Sequence, residues 1–303
     1  MRLFPEEERD FWEKVFQAGG DAITEIRMRA EREAFVYRDG KEFYLEKDGS
    51  LGKDRKKARI IQKEYLRDLL LHFCKYSLYA FEDELREGYL TLEGGHRLGL
   101  AGQAVMRNKE IQTIKNVTFL NLRICHQRKG MADKVLPWIY EEGDIVNTLI
   151  LSPPGCGKTT LLRDVIRQIS DGNAYGEGRC VGVVDERSEI SGSYMGIPQN
   201  DLGCRTDVVE GCPKGLGLSL LLRSMTPRIL AVDEVGGERD FAALQEASCC
   251  GVKILATMHG KTRGDLSHRL PEGLFEKVIY LERKNGIPSI GGCWDLRRER
   301  ERA

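Results

Sequence analysis

Two hydrophobic rhythms divide this chain. From residue 143 onward the apolar positions come as short unbroken runs: 148–151 (TLIL), 181–184 (VGVV), 229–232 (ILAV), 252–257 (VKILAT) and 278–281 (VIYL). Between them the period lengthens. Leu161, Leu162, Val165, Ile166 and Ile169 fall on one helical face after the first run, and GLGLSLLLRSMTP reads as a helix before the third. Runs apolar on both faces and alternating with helices predict a mostly parallel sheet covered on both sides. Upstream the pattern is mixed. Phe4 to Phe16 predicts a short helix, and EIRMRAEREAFVYRDGKEFYLEK predicts a hairpin turning at Asp39-Gly40. Lys63 to Ala80 places Tyr65, Leu66, Leu69, Leu70, Phe73 and Tyr76 at helical spacing, and GYLTLEGGHRLGLAGQAVM reads as strand, Gly-Gly turn, strand. The expectation is a smaller α+β domain over 1–142, followed by an α/β nucleotide-binding domain over 143–303.

The length of 303 residues suits two domains at about 150 residues each. No uncharged apolar stretch approaches the roughly 18 residues of a membrane span, and MRLFPEEERD puts acids where a secretory leader needs an apolar run. A cytoplasmic protein with no transmembrane segment of its own is expected. The 47 Lys and Arg balance 47 Asp and Glu, and neither half carries a basic excess, so no direct nucleic-acid partner is expected. The nine cysteines include no Cys-x-x-Cys pair, which argues against a four-thiolate zinc site or a disulfide framework. Glycine separates the halves: 22 of the 33 lie in 143–303. Loops built around a ligand call for glycine, so the chemistry belongs in the second half.

The first apolar run ends in SPPGCGKTT, immediately before a helix. That context makes it a phosphate-binding loop comprising Pro154, Gly155, Cys156, Gly157, Lys158, Thr159 and Thr160. Its backbone N–H groups and the helix N-terminus cradle phosphates, Lys158 reaches the β and γ phosphates of ATP, and the Thr159 hydroxyl ligates Mg²⁺. The usual motif begins with Gly, and here that position is Ser152. The run 229–232 leads into Asp233-Glu234, which places a metal-shell acid, Asp233, beside an acid able to activate water, Glu234. The run 181–184 ends in a second pair, Asp185-Glu186. The run 252–257 leads through Thr257-Met258 to His259, which positions His259 as a γ-phosphate sensor.

In this order, the phosphate loop, Asp185-Glu186, Asp233-Glu234 and Leu255 to His259 resemble the Walker A loop, Asp box, Walker B strand and His box of the secretion-superfamily ATPases. Those are the RecA-like motors of type II and type IV secretion and pilus assembly. Within that superfamily the segments EIRMRA, SPPGCGKTTLLRD, DERSEI, CRTDV, SMTPRILAVDEVGGERD and ATMHG are similar to a sporulation branch of endospore-forming bacteria. The resemblance implies a RecA-like P-loop core and a Mg²⁺-dependent, homo-hexameric ATPase in the mother-cell cytoplasm, associated peripherally with membrane proteins of a sporulation channel complex. Its N-terminal domain would dock partners and cover the nucleotide. Many secretion motors carry Gly-Glu where Asp233-Glu234 stands, and often use the Asp-box glutamate, so Glu186 and Glu234 both stand as candidate bases. Secretion motors also place an arginine two residues on, where this chain has Gly236, so the arginine acting across subunits falls to Arg205, Arg97 or Arg123. The competing readings are a RecA-like nucleic-acid motor and a nucleotide-gated scaffold without turnover.

Overall fold

The structure is a computed structural model that describes residues 3–260, 264, 270–284 and 287–297. Two compact units emerge, one formed by Met1–His126 with Ser193–Gln199, the other by Gln127–Gly192 with Asn200–Ala303.

In the first unit, helices α1 (Arg9–Gly19), α2 (Lys63–Phe73) and α3 (Glu82–Glu87) accompany a seven-stranded antiparallel sheet. Its strands are β1 (Ile23–Arg29), β2 (Phe35–Arg38), β3 (Lys41–Leu45), β4 (Leu51–Gly52), β5 (Tyr89–Leu92), β6 (His96–Arg107) and β7 (Glu110–Arg123), in the order β4-β3-β2-β1-β7-β6-β5. Trp12 and Val15 of α1, Leu66, Leu69 and Phe73 of α2, and Ile26 and Met28 of β1 share one core, where Phe4 stacks on Trp12 at 4.1 Å. The β2–β3 turn is the expected Asp39-Gly40, at φ +52° and +71°, the left-handed pair a tight hairpin requires. Two expectations shift. The first helix begins at Arg9 rather than Phe4, after Pro5 and a single turn of 3₁₀ helix. The second ends at Phe73, because Lys75 and Tyr76 turn left-handed at φ +50° and +58°, and Tyr76 is exposed rather than on the apolar face.

The second unit is built on β8 (Thr148–Ser152), β9 (Val181–Asp185), β10 (Thr206–Glu210), β11 (Ile229–Val232), β12 (Lys253–His259), β13 (Lys277–Lys284) and β14 (Ile287–Asp295), in the order β10-β9-β11-β12-β8-β13-β14. Every pair is parallel except β13 with β14. Helix α4 (Lys158–Asp171) follows β8, α5 (Lys214–Ser224) precedes β11, and α6 (Glu238–Cys249) precedes β12. Side-chain alternation sorts them onto two faces. Ile150 of β8 packs with Leu162, Val165 and Ile166 of α4, whereas Leu149 and Leu151 pack with Leu218 and Leu221 of α5 and Leu244 of α6. Ala132, Val135, Leu136 and Ile139 also join the α4 face, and the Ala132 N–H donates to the buried Asp164 carboxylate of α4 at 2.8 Å. These contacts tie residues 127–142 to the second unit.

Candidate active site

Parallel strands bring their carboxyl ends to one edge, where α/β sheets bind ligands. Here β12 lies between β8 and β11, so the phosphate-loop strand and the Asp233 strand are not neighbours. Ser152 pairs with His259, Val232 with Ala256, and Val184 with Val232. That register sets Asp185, Asp233 and Thr257 level along one edge, with Thr257 and His259 two residues apart on a single strand.

The phosphate loop leaves β8 at Ser152, which is fully buried and has ordinary backbone geometry, its hydroxyl donating to the Pro153 carbonyl at 2.7 Å. No left-handed residue is needed there, which explains why serine serves in place of glycine. The positive φ falls instead on Gly155 (+71°) and on Gly157 (+84°), the N-cap residue just before α4. Cys156 is buried and Thr160 half-buried in the loop's last turn.

Four side chains converge on the loop. Thr159 Oγ1 donates to Asp233 Oδ2 at 2.6 Å. Lys158, only 6% exposed, approaches His259 Nδ1 at 3.1 Å, and His259 Nε2 lies 2.9 Å from Glu234 Oε1. With the imidazole donating from Nε2, Lys158, His259 and Glu234 form one hydrogen-bonded chain. Arg187 closes it from the far side, NH1 to Glu234 Oε2 at 2.8 Å. Burial pushes the Lys158 ammonium below its ordinary value, against the opposing pull of Asp233 and Glu234. For Glu234 burial acts upward, but the His259 hydrogen bond and the charges of His259, Arg187 and Lys158 outweigh it and hold the carboxyl below the usual glutamate range.

Glu234 also sits at φ +53°, a conformation uncommon outside glycine and found where surrounding structure enforces it. Thr257 does the enforcing. Its hydroxyl donates to Asp233 Oδ1 and accepts from the Glu234 N–H at 3.0 Å, while its carbonyl takes the Val235 N–H at 2.8 Å. Thr257 did not stand out in the sequence as a functional residue, although its place two positions before His259 on an apolar strand was the available signal.

The Asp185-Glu186 pair is employed differently. Asp185, 2% exposed, accepts from the backbone N–H groups of Glu189, Ile190 and Ser191 at 2.9, 3.0 and 2.7 Å and from the Ser191 hydroxyl at 2.7 Å. Glu186 is ion-paired with Lys214 of α5. Arg205 lies just before β10, at the opposite end of the sheet from the phosphate loop, and donates to the Ser170 carbonyl at 2.9 Å. Arg97 and Arg123 are register partners across β6 and β7 of the first unit.

The sequence model of Sporulation stage III, protein AA matches residues 13–301. This chain belongs to that family. The family's curated Stage III sporulation protein AA from Bacillus subtilis (strain 168) is 37% identical over 279 residues, spanning 90% of this chain and 87% of that protein. Among solved structures, the Legionella pneumophila ATPase DotB superposes with a TM-score of 0.62 at 14% identity over 98% of this chain and 82% of its own. The pilus retraction motor PilT with bound ADP gives 0.63 at 15% identity, over 92% and 79%. The fold is thus a RecA-like P-loop core together with a smaller α+β unit, and it is shared with DotB and PilT. Among the described residues no helix is long and apolar enough to cross a membrane.

Proposed function

We propose that this chain is a Mg²⁺-dependent ATPase that works as a homo-hexameric motor on a membrane-embedded, secretion-like channel during endospore formation. Its place is the mother-cell cytoplasm, against the membrane proteins of that complex. One observation carries the reading: Lys158, the Thr159–Asp233 pair and the His259–Glu234 pair meet at the carboxyl edge of one sheet. The family and the likeness of fold to DotB and PilT support the motor.

Within this site, Lys158 binds the β and γ phosphates and the loop amides orient them. Thr159 and Asp233 would hold Mg²⁺, and they fit: a hydroxyl and a carboxylate already share a hydrogen bond, and this ion commonly takes one or two protein oxygens beside those of phosphate. When bound, Mg²⁺ neutralises charge on the transferring phosphoryl group. Glu234 is the base that orients and deprotonates the attacking water. His259, between Lys158 and Glu234, senses the γ phosphate. An arginine supplied by a neighbouring subunit completes the site, with Arg205, Arg97 and Arg123 as candidates. Arg205 cannot serve its own chain's phosphate loop, being at the other end of the sheet.

Nucleotide affinity of Lys158→Ala tests the site. Losing a charge-assisted contact weakens ATP binding at least about tenfold. Binding within about twofold of wild type would remove the phosphate-loop assignment. Mixing inactive Lys158→Ala protein with inactive arginine variants tests the ring, because mixed interfaces regain partial activity only when the arginine acts across subunits.

A further inference from the structure

The outer hairpin of the second sheet reaches the phosphate loop. Strand β13 runs parallel to β8 with Tyr280 opposite Leu151, and Arg283 lies three residues further on, past the end of β8. From there Arg283 NH2 donates to the Gly155 carbonyl at 2.7 Å. A Cβ on Gly155 would stand 3.4 Å from that nitrogen, and one on Gly157 would stand 3.8 Å from Pro288 Cβ of β14. Both left-handed glycines of the loop therefore lie against the β13–β14 hairpin. On the other side, the Cys156 side chain is buried in the core beneath α4.

The peptide plane turns this contact into a constraint on the binding surface. In a trans peptide the carbonyl of one residue and the N–H of the next point in opposite directions and rotate together. A guanidinium holding the Gly155 carbonyl toward the hairpin aims the Cys156 N–H the other way, away from the hairpin. Left-handed Gly155 is a residue with several accessible wells, so its conformation needs an external hold.

We propose that Arg283 is a positioning residue of the phosphate loop: through the Gly155 carbonyl it fixes the orientation of the loop amides, and it makes nucleotide affinity depend on the β13–β14 hairpin. This rests on the nucleotide reading of the same site. It acts on ground-state and transition-state binding alike, so it governs affinity rather than the chemical step.

The test uses the full chain and its Arg283→Ala, Arg283→Gln, Arg283→Lys and Lys158→Ala variants. ATP and ADP affinities are measured by calorimetry, turnover by phosphate release, and amide exchange of residues 155–158 without nucleotide. Arg283→Ala is expected to weaken ATP and ADP equally by about tenfold and to raise KM with kcat unchanged, the loss of one charge-assisted hydrogen bond. Exchange in the loop should quicken while the melting temperature holds, since Arg283 is exposed. Arg283→Gln and Arg283→Lys keep a donor and should recover to within about threefold. Wild-type affinity and exchange in Arg283→Ala would overturn the proposal. So would equal losses in the Ala and Gln variants that vanish at high salt, since that pattern belongs to charge alone. A wild-type protein that binds neither nucleotide, or a Lys158→Ala variant that binds as well as wild type, sinks the nucleotide reading instead. The exchange measurement then still decides whether Arg283 holds the loop.

Discussion

Asp185-Glu186 and Asp233-Glu234 look alike in sequence: each is an Asp-Glu pair that follows an apolar run, on adjacent parallel strands with Val184 opposite Val232. Their fates diverge because their neighbours differ. Asp185 faces a loop that folds back over it, and its carboxylate is engaged by three backbone amides and a hydroxyl of residues 189–191. Asp233 faces β12 and the start of α4, where Thr257 and Thr159 take its oxygens and leave the next residue beside His259. An acid at a strand end is locked into a loop or left beside other side chains according to what the adjacent strand and loop offer it.

The largest expected effect separates the two glutamates. Glu234→Gln should retain ATP binding while single-turnover hydrolysis falls by about 10²-fold or more, the size of lost general-base catalysis. Wild-type turnover in that variant would return the role of base to Glu186. The two aspartates divide along a different axis. Asp185→Asn puts an amide N–H₂ among N–H donors and should lower unfolding free energy by about 2–3 kcal/mol, read from denaturant midpoints. Asp233→Asn should change the Mg²⁺ concentration needed for turnover more than it changes the midpoint. If both asparagine variants behaved alike, the contrast between the strand ends would collapse.

A smaller effect concerns pH. A carboxyl whose folded value is lowered stays ionised to lower pH, so the acid limb of the rate profile should lie below an ordinary glutamate near 4.3. Arg187→Ala removes one of the charges holding it down and should move that limb upward, but only slightly, because Arg187 is largely exposed and screened. The smallest effect is expected for Glu186→Gln. Its partner Lys214 can still donate to an amide oxygen, and turnover should stay within about threefold of wild type.

Much of this was legible in the chain. Five strands of the second sheet announce themselves as Val- and Ile-rich runs because both their faces are covered, and the phosphate loop needs glycines at fixed spacing. Other strands carry no such mark. Thr206–Glu210 is half-buried along its whole length, as befits a sheet edge, and Glu110–Arg123 belongs to a long hairpin whose outer part is exposed, so neither shows an apolar run. In the site, Lys158, Thr159, Asp233, Glu234 and His259 could be named from motif and strand position. Thr257, Arg187 and Arg283 could not, because their importance lies in partners 23, 47 and 128 residues away, set by strand order and register.

Strand β12, paired on both edges, works as a ruler. A doubly paired strand cannot slip by one residue without exchanging its side chains between two differently packed faces, so its graduations are fixed. Two inter-strand spacings, about 9–10 Å, separate the strand that carries the phosphate loop from the strand that carries the acids. Thr257 and His259 mark that gap at two points two residues apart, and the second stands where the tether from Lys158 meets the one from Glu234. The separation of the two strand ends is therefore set by the sheet itself and not by the loops that leave them.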